Sequence, residues 1–350
     1  MEKTLLNIIK PLLPKMEAVQ PYLDIAYRSR IFTNFGSNFY TAQNRLSEIT
    51  KGWALPVTNG TVAIEIALKT MNFQTGAKIA LPDFTHSGTL LAIVAAGLRP
   101  VLVSVDSKTW QMNLSEVAGL YEGGRIDGAV IVSPFGYRVD VHAWDALNIP
   151  IVYDFAGAWG FFPRSIYPIC YSLHATKTMG IGEGGFIVFP DEESRIVGLR
   201  LSNFDTNPVN RNIESIDGQN GKLDEIRAAF LCAALEDVHL KKIDARIKAR
   251  RALLNFYLAS VPLAYAPPME RWPSMLVVQH PRSKDFIRDA EKHGVQSRGY
   301  YPSLSGMPAI EKLVDRASIS DISMTNCMAL PADINLEDAY RVVEALKCYN

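Results

Sequence analysis

The feature that most constrains this chain is a recurring pattern. Short, unbroken apolar runs rich in β-branched residues are separated by segments of helical periodicity. The runs are 54–58, 78–82, 99–105, 127–132, 149–153 and 186–189. Apolar residues at helical spacing cover Val62–Met71 and Leu90–Ala96, the latter closing at Gly97. A strand with one face in water alternates apolar and polar residues, whereas a run that is apolar throughout is covered on both faces. Covered strands alternating with helices predict βαβ units and a mostly parallel sheet, an α/β fold. Such open sheets bind ligands beyond the carboxyl ends of their strands. Phe84-Thr85-His86, Gly136 and Asp154 all stand just past predicted strand ends.

The remainder of the chain sets the frame. Its 350 residues suffice for one large or two ordinary domains. Thirty-six basic and 36 acidic residues give zero net charge, which argues against a nucleic-acid-binding surface spread over the fold. Cys170, Cys232, Cys327 and Cys348 form no CxxC pair and read as reduced thiols, not as a zinc site or disulfide framework. The apolar N-terminal stretch is broken by Lys10, Pro11 and Pro14, so it reads as a helix or arm and not a signal peptide. With no membrane-length apolar run, a cytoplasmic protein is expected. Residues 198–222 are polar and Asn-rich, either a solvated loop or a segment docked on another chain. One long helix is expected from about Leu223 to Tyr257. Strand, helix, strand, helix then follow in a smaller C-terminal α+β unit, ending in an amphipathic helix at Leu336–Leu346. These shifts divide the chain into a large domain at 1–235 and a small one at 236–350.

Residues 170–185 carry the chemistry. Lys177 lies between Ser172, His174 and Thr176 upstream and Gly180, Gly182, Gly184 and Gly185 downstream. An isolated lysine is nearly always solvated, and an isolated aspartate at a strand end is usually a cap. The set is more specific than its members. Pyridoxal phosphate needs a lysine to bind it covalently, a carboxylate for its pyridine nitrogen, a phosphate cradle and a stacking partner. Lys177 and Asp154 supply the first two. Gly60 and Thr61, at a strand–turn–helix junction, could form the cradle with Ser172. The plainer reading of that junction is a helix cap by Asn59 or Thr61. His86 or Phe84 could stack on the ring.

The chain resembles the DegT-type family of sugar aminotransferases, whose members are fold type I pyridoxal-phosphate enzymes acting on nucleotide-linked keto sugars. The resemblance rests on Thr33-Asn34-Phe35-Gly36, Asn59-Gly60-Thr61, Asp83-Phe84-Thr85-His86, Asp154-Phe155-Ala156, residues 172–177, Glu183-Gly184-Gly185, residues 218–225 and Tyr300-Tyr301-Pro302. It implies a large domain with a mostly parallel seven-stranded sheet flanked by helices, and a smaller α+β domain. It implies that Lys177 binds the coenzyme and shuttles protons, that Asp154 holds the pyridine nitrogen, and that Gly60, Thr61 and Ser172 hold the phosphate. It also implies that His86 covers the ring and that Asn220 reaches the phosphate of a neighbouring subunit in a homodimer. Tyr301, Phe35 and His174 are implied on the substrate side, with L-glutamate as amino donor and no metal, nucleic acid or membrane partner. One departure stands out. After Asp-x-Ala the family commonly has Gln or His against the coenzyme's ring hydroxyl, and here Gly157 supplies no side chain. The neighbourhood of Trp159 is expected to be rebuilt to fill the gap. Competing expectations are a sugar dehydratase of the same fold, which the resemblance associates with histidine in place of Lys177, and a non-catalytic coenzyme-binding regulator.

Overall fold

Strands β1 (Trp53–Val57), β2 (Lys78–Pro82), β3 (Arg99–Val103), β4 (Gly128–Val132), β5 (Ile151–Asp154), β6 (Ile169–Ser172) and β7 (Gly185–Phe189) precede β8 (Leu276–Gln279), β9 (Arg298–Gly299), β10 (Asp315–Arg316) and β11 (Cys327–Leu330) in the chain. The computed structural model describes residues 5–207, 209–317 and 326–349. The main sheet has the order β1-β7-β6-β5-β4-β2-β3-β10. The expected seven strands are therefore joined by an eighth, the two-residue β10, which pairs in parallel with the edge strand β3. Pairings from β3 through β6 are parallel, and β7 is antiparallel to both β6 and β1. β1 thus runs in the same sense as β6. The carboxyl ends of β1, β6, β5, β4 and β2 consequently share one edge of the sheet. Every residue of β5 and β7 is buried, as their unbroken apolar character requires.

The expected long helix is two helices, Glu225–Ala234 and Asp237–Ser260, broken at Leu235–Glu236. The physical reason is packing. The first helix buries Ala228, Ala229, Leu231 and Cys232 beneath helices Met16–Ser29 and Ser37–Thr50. The second buries Leu253, Leu254 and Tyr257 in a separate cluster with β8, β11 and helix Leu336–Lys347. A straight rod cannot present one stripe to both. Glu236 adopts an extended conformation at the break, where its carboxylate accepts from Tyr22 Oη at 3.2 Å. Among the described residues, 5–15 form an extended arm and no helix. Leu6 bonds Gly294 and Gln296 through its backbone, which ties the arm to the three-stranded antiparallel sheet β8-β11-β9.

A buried charge cluster joins the segment after β11 to the loop between β6 and β7. Arg250 is fully buried and donates to both carboxylate oxygens of Asp333, at 2.9 and 2.8 Å. Arg246 does the same at 2.9 and 2.6 Å. The two guanidiniums outnumber the one carboxylate, and carbonyls satisfy their remaining donors. Arg250 reaches Pro273 O at 3.1 Å and Ser274 O at 2.9 Å, and Arg246 reaches Lys10 O and Thr178 O. Burial would raise the Asp333 carboxyl, but hydrogen bonds and charge from Arg246 and Arg250 hold it well below the usual carboxylate range. Breaking a buried pair leaves an uncompensated charge. Asp333→Asn is therefore expected to lower the unfolding free energy by about 3–5 kcal/mol at neutral pH in a denaturant titration. A depressed carboxyl stabilises above its unfolded pKa of about 3.9, and that contribution is lost as pH falls through the folded value. The gap between wild type and variant should accordingly narrow only in strong acid.

Candidate active site

Asp154 ends β5 in the middle of the shared edge and is 5% exposed. A carboxylate so buried must be hydrogen-bonded. Thr89 Oγ1 donates to one oxygen at 2.8 Å and the Ala156 N–H donates to the other at 3.1 Å. Thr89 lies in helix Ser87–Ala95, which follows β2, so a neighbouring βα connection orients the carboxylate.

Lys177 lies on the loop between β6 and β7. The loop folds on itself through Leu173 N to Gly184 O, Ala175 N to Gly182 O and Ile181 N to Leu173 O, at 2.8, 2.8 and 2.9 Å. Its glycines serve that closure. Gly182 has φ +108°, and a Cβ at Gly180 would stand 2.9 Å from Ala175 Cα. Lys177 is partly buried, and burial lowers the pKa of its ammonium while the charge of Asp154 opposes that shift. The next residue, Thr178, is fully buried. Its hydroxyl bonds Pro273 O at 3.0 Å and accepts from Arg250 at 3.3 Å.

Beside this pair the chain forms a cradle. Asn59 Oδ1 caps helix Gly60–Thr70 by accepting from Val62 N at 2.9 Å. The capping role thus falls to Asn59, which leaves the Gly60 and Thr61 N–H groups at the helix's positive end for another acceptor. A Cβ on Gly60 would stand 2.9 Å from Ser172 Cβ. Thr61 Oγ1 and His86 Nδ1 both crowd Gly88, each 2.9 Å from where its Cβ would be. Gly60, Thr61, Ser172 and the start of the β2 loop therefore converge.

His86 Nδ1 accepts from Gly88 N at 3.0 Å, which fixes its ring as the cap of helix Ser87–Ala95. Burial lowers its pKa, and the Lys177 charge adds to that, so the imidazole is held neutral. Its ring meets Tyr301 edge-on at 6.3 Å, and Tyr301 stacks on Phe135 at 4.9 Å and 7°. Phe84 turns its ring edge-on to Tyr301 and Phe135 and is buried in this aromatic wall.

His174 is pinned to Thr176 Oγ1 at 2.7 Å and lies 3.5 Å from Glu183. Asn220 is exposed beside β1. It accepts from Lys222 Nζ at 2.8 Å, and Thr58 N bonds the next carbonyl, Gly221 O, at 2.9 Å. Phe35 packs on Phe39 at 4.8 Å and, among the described residues, has no ring contact or hydrogen bond with the lysine–aspartate group.

Sequence reasoning missed Thr89, Thr178 and the Arg250–Asp333 brace. Thr89 lies three residues after the His86 motif, a readable signal once its helix is placed. The brace joins residues 72 to 83 positions apart, and no local pattern announces it. The expectation about Trp159 is also corrected. Trp159 packs edge-on against Phe162 and Phe186 in the core. The space beside Gly157 is filled instead by Ser274, whose Oγ lies 2.8 Å from where a Gly157 Cβ would be.

These residues fit pyridoxal phosphate. A glycine whose Cβ would fill the cradle, two N–H groups at a helix start and nearby hydroxyls suit a phosphate. A buried, hydrogen-bonded carboxylate and a lysine of lowered pKa suit the ring. The profile of the DegT/DnrJ/EryC1/StrS aminotransferase family matches residues 16–347, and the chain belongs to that family. It is 24% identical to the dTDP-4-amino-4,6-dideoxy-D-glucose transaminase of Escherichia coli, over 97% of both chains. Its fold matches that of a putative PLP-dependent aminotransferase from Bacillus cereus, with a TM-score of 0.89, 22% identity and coverage of 98% and 100% of the two chains. A Bacillus subtilis structure with bound cofactor PMP matches at TM-score 0.80 and 18% identity, over 95% of this chain and 81% of that one.

Gly60→Ala is expected to weaken coenzyme binding at least about 10-fold, because the new methyl enters the cradle against Ser172. Titrating coenzyme-free protein with pyridoxal phosphate measures this.

Proposed function

We propose that this chain is a pyridoxal-phosphate-dependent aminotransferase that moves an amino group from L-glutamate to a nucleotide-linked keto-deoxysugar, carried on dTDP or UDP. The product serves bacterial surface polysaccharide or antibiotic sugar synthesis. The observation that carries the reading is the lysine of lowered pKa beside a buried, doubly hydrogen-bonded aspartate at the sheet's shared edge. The dTDP-sugar transaminase from Escherichia coli supports the substrate class.

Pyridoxal phosphate, when bound, supplies the electron sink that lets an amine leave the donor and join the acceptor. The chain's own residues do the rest. Asp154 holds a proton on the ring nitrogen. Lys177 Nζ, whose pKa burial lowers, takes a proton from the donor's α-carbon in the first half-reaction and delivers one to the sugar carbon in the second. Glutamate takes up one water and leaves as its 2-oxo acid, and the sugar carbonyl becomes an amine with release of one water. Gly60, Thr61 and Ser172 anchor the phosphate, and neutral His86 covers the ring.

The reading includes a cytoplasmic homodimer with shared sites. Val209, Ile213 and Ile216 are 90%, 68% and 100% exposed on the loop leading to Asn220, an apolar surface suited to burial against a second copy. Among the described residues no helix is long and apolar enough to cross a membrane.

Glutamate should bleach the coenzyme's visible band, and a panel of nucleotide-linked keto sugars, followed by mass spectrometry, should identify the acceptor. No bleaching with any amino acid would contradict the proposal. Lys177→Ala should lower turnover by at least about 10²–10⁴-fold. Mixing Lys177→Ala with Asn220→Asp subunits should restore activity if Asn220 acts across the interface, because one site of each mixed dimer is then intact. If Asn220 acts within its own subunit, mixing restores nothing.

A further inference from the structure

The shared edge of the sheet gives the coenzyme a direction. The phosphate cradle lies at the end of β6, where Ser172 faces Gly60. Asp154 ends β5, the next strand, and β4 follows on the far side. In pyridoxal phosphate the phosphate arm and the ring hydroxyl flank the reactive carbon on opposite sides. With the arm toward β6 and the ring nitrogen at Asp154, the hydroxyl edge faces the turn after β4, Phe135–Gly136.

That turn is packed to backbone contact. Gly136 has φ +90°, and a Cβ there would stand 2.1 Å from Trp272 O and 2.7 Å from Gly157 O. Trp272 N donates to Gly136 O at 2.7 Å, and Ser274 N donates to Phe135 O at 3.2 Å. The segment 272–274 thus forms the wall of the site on the β4 side. Gly157 offers that wall no side chain.

Ser274 does. It is 5% exposed, and its oxygen lies 2.8 Å from the point where a Gly157 Cβ would stand. Its backbone is fully engaged, through Phe135 on one side and Arg250 at 2.9 Å on the other. The preceding carbonyl, Pro273 O, accepts from Thr178, the residue after Lys177. The Ser274 hydroxyl has no hydrogen-bond partner among the described residues, yet it is not one of the unpartnered polar atoms sealed from solvent. An unpaired hydroxyl in a buried residue that still faces open space is available to a ligand.

We propose that Ser274 Oγ is the hydrogen-bond donor to the coenzyme's ring hydroxyl, delivered from the 272–274 segment because Gly157 cannot provide one. Arg250 and Thr178 hold that segment in register with Lys177, so the lysine and the ring's hydroxyl partner are set by one brace. The inference rests on the coenzyme reading above.

The test is Ser274→Ala in the full-length protein. Loss of one hydrogen bond to a charged oxygen should raise the dissociation constant of pyridoxal phosphate by roughly 3- to 10-fold. Without the serine, more negative charge stays on the ring oxygen and helps hold the proton on the lysine nitrogen. The pH midpoint of the visible band should therefore move upward. Ser274→Thr keeps the hydroxyl and should restore both values, which a merely structural role would not do. Unchanged affinity and midpoint in Ser274→Ala, with the wild type binding normally, would overturn this inference alone. Failure of the wild type to take up pyridoxal phosphate would overturn the coenzyme reading and this inference with it.

Discussion

A carboxylate buried at the end of a sheet's interior strand is the constraint on which the site depends. Removing Asp154 from water is costly unless donors meet it. The chain supplies Thr89 Oγ1 from the neighbouring connection and the Ala156 N–H from its own turn. Those two bonds fix the direction of the charge. They leave it beside Lys177, where it opposes the desolvation that lowers the lysine's pKa. Neither group is placed by its own element alone. β5, the helix after β2 and the β6–β7 loop must all be in position before the pair exists.

The second dependence is mechanical. The lysine loop is exposed to distortion because glycines close it. The protein holds it from behind through Thr178, which is bound by two arginines that share Asp333. Those arginines lie on helix Asp237–Ser260, and Asp333 follows β11. The same cluster takes in the N-terminal arm at Lys10, whose N–H donates to Asp333 at 3.1 Å. Hydrogen bonds thus connect the residue adjoining Lys177 to the segment that follows β11 and to the N-terminal arm.

Much of this was legible before the structure. Unbroken apolar runs identified the covered strands, and Asp154, His86 and Lys177 were visible as polar residues just past their ends. The structure brings those three together with Gly60, Thr61 and Ser172. What the sequence hid has physical causes. Strand β10 is two residues long, too short for any periodicity. The break at Leu235–Glu236 carries no proline or glycine, because the two packing surfaces impose it and local propensity does not. Ser274 stands 120 positions after Asp154, too far for any local pattern to link them, and only the contact with Gly157 reveals it. Asn220 was read as reaching another subunit, and within one chain it stands exposed beside β1, held by Lys222.

Lys177 is the residue to which we propose the coenzyme attaches. Lys222 provides the sharpest comparison, since it is buried, with its Nζ 4.6 Å from the Phe204 ring and its pKa, like that of Lys177, lowered by desolvation. Borohydride reduction of the coenzyme-loaded protein makes that attachment permanent, and peptide mapping by mass spectrometry locates it. A single pyridoxyl phosphate adduct on Lys177 is expected. An adduct on Lys222 or any other lysine, with Lys177 unmodified, would contradict it.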